Sequence, residues 1–173
     1  MIARVETLCC TAKYRRLFRL ADDLAKVSVS ATALGPWYAN VLNIDSARML
    51  HYMSSTSLLS VVLWQRERRS AEQRFIQSLR DLLKHLGVAP NVTEAELSEF
   101  SILQYARATD RSVLGSMREQ AIIASYHLED DTTPAYLSFV LAETPCGPRN
   151  YESPKTLAPR LLEARWSGPR GGA

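Results

Sequence analysis

The sequence is poor in the residues that most enzymatic chemistry needs. It has three histidines and three cysteines in 173 residues. It has no Gly-rich phosphate loop, no dinucleotide fingerprint, no paired-histidine helix and no C-x-x-C. A metal site needs three or four converging ligands, so no metal and no cofactor is expected. Cys9, Cys10 and Cys146 are odd in number and include an adjacent pair, a poor disulfide framework that points to a reducing compartment. No run approaches the ~20 apolar residues of a membrane span. Arg4 and Glu6 interrupt the apolar start, which argues against a signal peptide. The expectation is a cytoplasmic protein with no membrane partner.

What is present is ordinary globular material. The hydrophobic fraction is 46% and the charged fraction 23%, enough for one core. A single domain over residues 1–164 with a flexible tail over 165–173 is expected. The net charge of +3 is too small to argue for nucleic acid by itself. Arg greatly outnumbers Lys, however, and Arg makes bidentate contacts to phosphate and carboxylate.

Periodicity places the elements. Alternation predicts a strand over Ile2 to Leu8, and helical spacing predicts a helix over Lys13 to Leu24. Val27 to Ala33 reads as a loop. Gly35-Pro36 suggests a short helix over Leu34 to Leu42, with Pro36 in its first turn. Met49 to Met53 and Leu58 to Trp64 read as two strands joined by a hairpin at Ser54-Ser55-Thr56-Ser57. The apolar stripe Ala71, Phe75, Ile76, Leu79, Leu82, Leu83, Leu86 predicts a helix over Ser70 to Leu86, with Ser70 and Gln73 at capping-box spacing and Gly87 as its stop. Thr93 and Glu96 repeat that spacing, predicting a short helix from Glu94. A strand over Ile102 to Ala108 and a helix over Asp110 to Leu128 follow. Thr133-Pro134 and Ser153-Pro154 start two more helices. The fold class is α+β: a small mixed or antiparallel sheet of about four strands packed with six or seven helices, in one helical layer.

Two stretches could build a site. Thr32 to Asn40 places Trp37, Tyr38 and Asn40 together, aromatics with polar edges beside an amide. Thr109 to Met117 follows a strand and opens a helix, so free N–H groups beside Arg111 and Ser112 could meet an anion. The candidate ligand-binding residues are therefore Thr32, Trp37, Tyr38, Asn40, Thr109, Arg111, Ser112 and Ser116. Structural alternatives stand beside them: core anchor for Trp37, cap for Asn40, Asp110 or Thr109 as cap of the helix, where an ionised Asp110 would repel an anion, and close packing for Gly115-Ser116. For catalysis the candidates are His51 and Asp110. His51 on a strand could pair with Cys9 or Cys10, although a bonded core imidazole is the blander role. His85 and His127 lie near helix ends, where the macrodipole suits an imidazolium. Asp22-Asp23 and Asp130-Asp131 read as loop residues.

The motifs Cys10-Thr11-Ala12-Lys13, Leu34-Gly35-x-Trp37-Tyr38-Ala39-Asn40, Arg111 to Met117 and Glu143-Thr144-Pro145-Cys146-Gly147-Pro148, in that order, resemble the DUF6933 family of small bacterial proteins. The resemblance spans roughly Met1 to Leu162. It implies no activity and no catalytic roles. The chain departs from the pattern at Arg118-Glu119, where the family has Asn-Asp.

Two functions remain in view. One is a non-enzymatic binding or protein-interaction module, with a protein partner or a second copy of the chain, in which Trp37 and Arg111 share an exposed groove. The other is an enzyme or toxin acting on a nucleotide or RNA. It would use Arg111 for phosphate and His51 or Asp110 as base, with Arg66, Arg68, Arg69 and Arg74 extending a track for an anionic ligand or nucleic acid, although a solvated helix face is the preferred reading of that cluster.

Overall fold

Both faces of one sheet are buried, and that arrangement sets every other position. The computed structural model describes residues 5–21, 23–24 and 30–168. Strands β1 (Val5–Cys10), β2 (Trp37–Ile44), β3 (Ala47–Ser54), β4 (Ser60–Trp64) and β5 (Ile102–Arg107) form a sheet of order β4-β3-β2-β1-β5. β1 lies parallel to both β2 and β5, while β2–β3 and β3–β4 are antiparallel hairpins. The class is the expected α+β, with a mixed sheet.

Among the described residues six α-helices pack around it: α1 (Ala12–Phe18), α2 (Ala71–His85), α3 (Pro90–Leu97), α4 (Arg111–Tyr126), α5 (Pro134–Glu143) and α6 (Pro154–Trp166). A 3-10 turn, Gln65–Ser70, links β4 to α2. Alternate residues along each strand point to opposite faces. Leu8, Trp37, Leu50, Tyr52 and Val61 join Phe75 and Leu79 of α2 and Leu162 of α6 in the main core. Cys9, Tyr38 and Met53 meet Val113 and Met117 of α4. Leu42, Met49 and Val62 meet Ala124 of α4 and Leu137 and Leu141 of α5. The expected single layer of helices is thus corrected to helices on both faces. The signal is in β3 and β4, where Met49 to Leu63 includes unbroken buried runs, the pattern of strands covered twice.

The largest departure is at residues 34–42, expected as a helix and found as the turn into β2. Pro36 lies in the turn just before β2, and the Gly35-Pro36 peptide is cis. The aromatic and β-branched residues after it then follow strand preference. This supplies the fifth strand, against about four expected. A Cβ at Gly35 would collide with the Glu6 carboxylate, so only glycine fits where the turn crosses β1.

Helix ends also moved. α1 stops at Phe18, well before Leu24: Arg19 turns left-handed at φ 52°, and the Leu20 N–H donates back to the Arg15 carbonyl at 3.0 Å. α3 starts at Pro90, because proline is preset for a first turn. Thr93 is consequently inside the helix with its hydroxyl buried and unbonded, and Glu96 is no cap. Its buried carboxylate accepts the Ala33 and Leu34 N–H groups at 2.9 and 3.0 Å and Trp166 Nε1 at 2.7 Å. Ser70 makes no capping bond; its hydroxyl accepts Arg74 Nε at 3.1 Å instead. Asp110 and Thr133 do cap their helices. α6 continues through Trp166. The start of the expected first strand, most of the 27–33 loop, Asp22 and the tail from 169 onward lie outside the described residues.

Trp37 is fully buried and packs edge-on against Phe75 at 5.0 Å between ring centres. Trp37→Ala is expected to cost about 3–5 kcal/mol, measured by urea unfolding. A cost near zero would contradict this packing.

Candidate functional site

The carboxyl ends of β1 and β5 are the natural place to look, because loops leave parallel strands there. Thr11 follows β1 and caps α1. Its hydroxyl donates to Asn40 Oδ1 at 2.7 Å and accepts the Tyr14 N–H at 3.3 Å. The Thr11 N–H donates to the Ala39 carbonyl and the Ala108 N–H to the Cys10 carbonyl, so one rung ties β2, β1 and the end of β5. Asp110 Oδ1 accepts the Ser112 and Val113 N–H groups at 2.8 and 3.3 Å, and the Asp110 N–H donates to the Tyr38 hydroxyl at 3.3 Å.

This edge gathers Tyr38, Asn40, Thr109, Arg111 and Ser112, the last three exposed. It does not gather Trp37, which lies on the opposite sheet face, or Thr32, at the other end of β2. Thr32 Oγ1 accepts the Gly35 N–H at 2.8 Å and bonds Ser30 at 2.7 Å. Ser116 is buried, its hydroxyl without a partner. The shared Trp37–Arg111 groove is therefore not formed. Adjacent residues of a strand face opposite ways, whereas a helix would have kept Trp37 and Tyr38 on neighbouring sides.

The acid–base candidates are spent on structure. His51 is 1% exposed. The Ser60 hydroxyl gives its proton to Gln120 Oε1 at 2.5 Å, so His51 Nε2–H donates to Ser60 Oγ at 2.8 Å, and Gln120 Nε2 donates to the Leu58 carbonyl. Burial lowers the imidazole to a pKa of about 4. It sits on β3, two strands from β1, roughly 10 Å away, so no thiol–imidazole pair exists. Burial pushes the Cys9 thiol up to about 11 and Cys10 up to about 12. Both stay protonated and unreactive near neutrality. Asp110 caps α4 through one carboxylate oxygen, Oδ1, and is exposed.

The sequence reading named Arg66 and Arg68 but missed that Lys13, Arg16 and Arg48 join them in a basic trough beside α1. One depression of about 360 Å³ is lined by Lys13, Arg16 and Arg48 with Asn43 and Gln65. A second, of about 370 Å³, shares Arg48 and Gln65 with it and adds Arg66, Arg68 and Trp64. Among the described residues no carboxylate lines either. Among the described residues none lies within ion-pair distance of these five cations. Arg74, expected in the same track, is instead paired with Glu67 at 3.2 Å. A separate, more apolar cavity of about 380 Å³ lies between α2 and α5, lined by Leu82, His85, Tyr136 and Phe139. His85 packs edge-on to Phe139 there, at 4.6 Å. Among the described residues no group of three or more His, Cys, Asp or Glu is placed to hold a metal ion. No helix among them is long and apolar enough to cross a membrane.

The model of DUF6933, a domain of unknown function, matches residues 7–157, well over half the chain. No curated protein and no solved structure matches it.

His51 makes a pH prediction. Its pKa is about 4 in the fold and 6.5 when unconstrained, so the unfolded chain takes up the proton first. The stability it contributes is complete above pH 6.5 and is lost as pH falls toward 4. The loss is up to about 3 kcal/mol. Urea unfolding at several pH values should show this component in the wild type and not in His51→Gln. Equal pH slopes would contradict a sealed, neutral imidazole.

Proposed function

The chain belongs to the DUF6933 family, a domain of unknown function, and we propose that it is a non-enzymatic binding module for an anionic, phosphate-bearing ligand. The observation that carries this is the trough: Lys13, Arg16, Arg48, Arg66 and Arg68 line two depressions that share Arg48 and Gln65, with no lining carboxylate among the described residues. Uncompensated cations repel one another, a cost that a bound anion relieves. The amides of Asn43 and Gln65 add donors to the same walls. A module that binds without turnover fits the interior, where His51 is neutral and sealed, the thiols of Cys9 and Cys10 are protonated, and Asp110 caps a helix. The alternative of an enzyme acting on a nucleotide or RNA needs one of these groups at the ligand.

Inorganic tripolyphosphate is the test ligand. Calorimetry at low salt should give saturable binding, weakened at least about tenfold by Arg48→Ala with Arg66→Ala, since each charge-assisted contact is worth roughly 1.5–3 kcal/mol. Arg111→Ala should leave it unchanged, and phosphorus NMR should recover the probe uncleaved. The reading fails if there is no saturable binding, if the trough variants bind like wild type, or if the probe is hydrolysed.

A further inference from the structure

We propose that the occupant of the trough is a single-stranded nucleic acid, its phosphates on the Arg and Lys side chains and its bases against the half-buried rings of Trp64, Phe18 and Tyr105. This rests on the anion-binding reading above and names the ligand class.

The trough is longer than one phosphate requires. A third depression, of about 270 Å³, shares Arg68 with the second and adds Arg69, Phe18 and Tyr105. Three neighbouring depressions, linked by the shared residues Arg48, Gln65 and Arg68, each hold at least two cations, the arrangement that suits a ligand of repeating negative charge. Aromatic walls occur among those cations. Trp64 lines the second depression with the Arg66 guanidinium 5.3 Å from its ring centre. Phe18 lines the third, held by stacking on buried Tyr14 at 4.3 Å between centroids. Tyr105 is fixed there by its hydroxyl bond to Glu72, the single carboxylate lining the third depression. Cations interleaved with rings are what unpaired bases on a phosphate backbone use, and stacking tolerates any base.

Other polyanions fit less well. A duplex keeps its bases paired and would leave the rings unused. An anionic membrane calls for a flat face with apolar side chains to insert, yet the large exposed apolar residues, Ile102, Ile122, Tyr126, Tyr136 and Tyr151, line none of the three depressions. An acidic peptide would meet the cations but offers no regular succession of flat rings.

The test is fluorescence anisotropy of the full chain with a labelled oligothymidylate of about twelve nucleotides, the scale of a single-strand site. Binding should be at least about tenfold tighter than to tripolyphosphate. It should fall roughly a hundredfold between about 50 and 200 mM salt, as expected for some five to six phosphate contacts on a single strand. Arg48→Ala with Arg68→Ala should weaken it more than tenfold and flatten the salt slope, with an unchanged thermal melt. Lys155→Ala, on the distant α6, should have no effect. The proposal is overturned if the oligonucleotide binds no tighter than tripolyphosphate, if the trough variant binds like wild type, or if a duplex, a poly-glutamate peptide or phosphatidylserine vesicles bind equally well. Tripolyphosphate binding without oligonucleotide preference would sink this inference alone. Loss of both would sink the anion-binding reading beneath it.

Discussion

The structure depends on one constraint: the sheet must be covered on both faces, and the helix that follows β1 is too short to finish the job. α1 has seven residues, about 10 Å of helix. β2 has eight, about 26 Å of strand. Tyr14 and Phe18 cover the middle of that face, and the far end of the β2–β3 hairpin stays open. Val41, Asn43 and Arg48 are its floor, and the 3-10 turn after β4 is its far wall. Burial elsewhere drives chemistry-bearing groups into neutral, bonded states. Among the described residues this uncovered end presents several cations in a concave surface with no carboxylate beside them.

The same constraint explains the interior polar groups. A sheet with two dry faces favours partners for the polar side chains that point inward, although Trp37 Nε1, Thr93 Oγ1 and Ser116 Oγ are buried without one. His51, Ser60 and Gln120 find theirs as a closed chain from β3 through β4 to α4. Glu96 does so by holding the Ala33–Leu34 backbone and Trp166 from three directions, which pins the turn before β2 to α3 and α6. These are fold-defining contacts, and both side chains are buried away from the surface.

Much of the fold was legible. The stripe from Ala71 to Leu86, the Asp110 and Thr133 caps, and the 54–57 hairpin follow from spacing and turn chemistry, and all are present. The motif order that resembled DUF6933 was confirmed as family membership. β2 was not legible because Gly35-Pro36 carries the same letters at a helix start and at a turn into a strand, and local preference alone does not separate them. That one misreading also misplaced the site: Trp37 and Tyr38 look like one aromatic platform in sequence, and in a strand they serve opposite cores. The trough escaped because its cations come from residues 13–16, 48 and 65–68, which only the hairpin and α1 bring together. The run Arg66, Arg68, Arg69 was visible, but in sequence it could not be told from a solvated face.

The most direct measurement is amide chemical-shift mapping of the isotopically labelled chain during a tripolyphosphate titration. The account predicts saturable shifts concentrated at Lys13, Arg16, Arg48, Gln65, Arg66 and Arg68. Shifts centred on Arg111 and Ser112, or spread evenly over all exposed arginines, would contradict it.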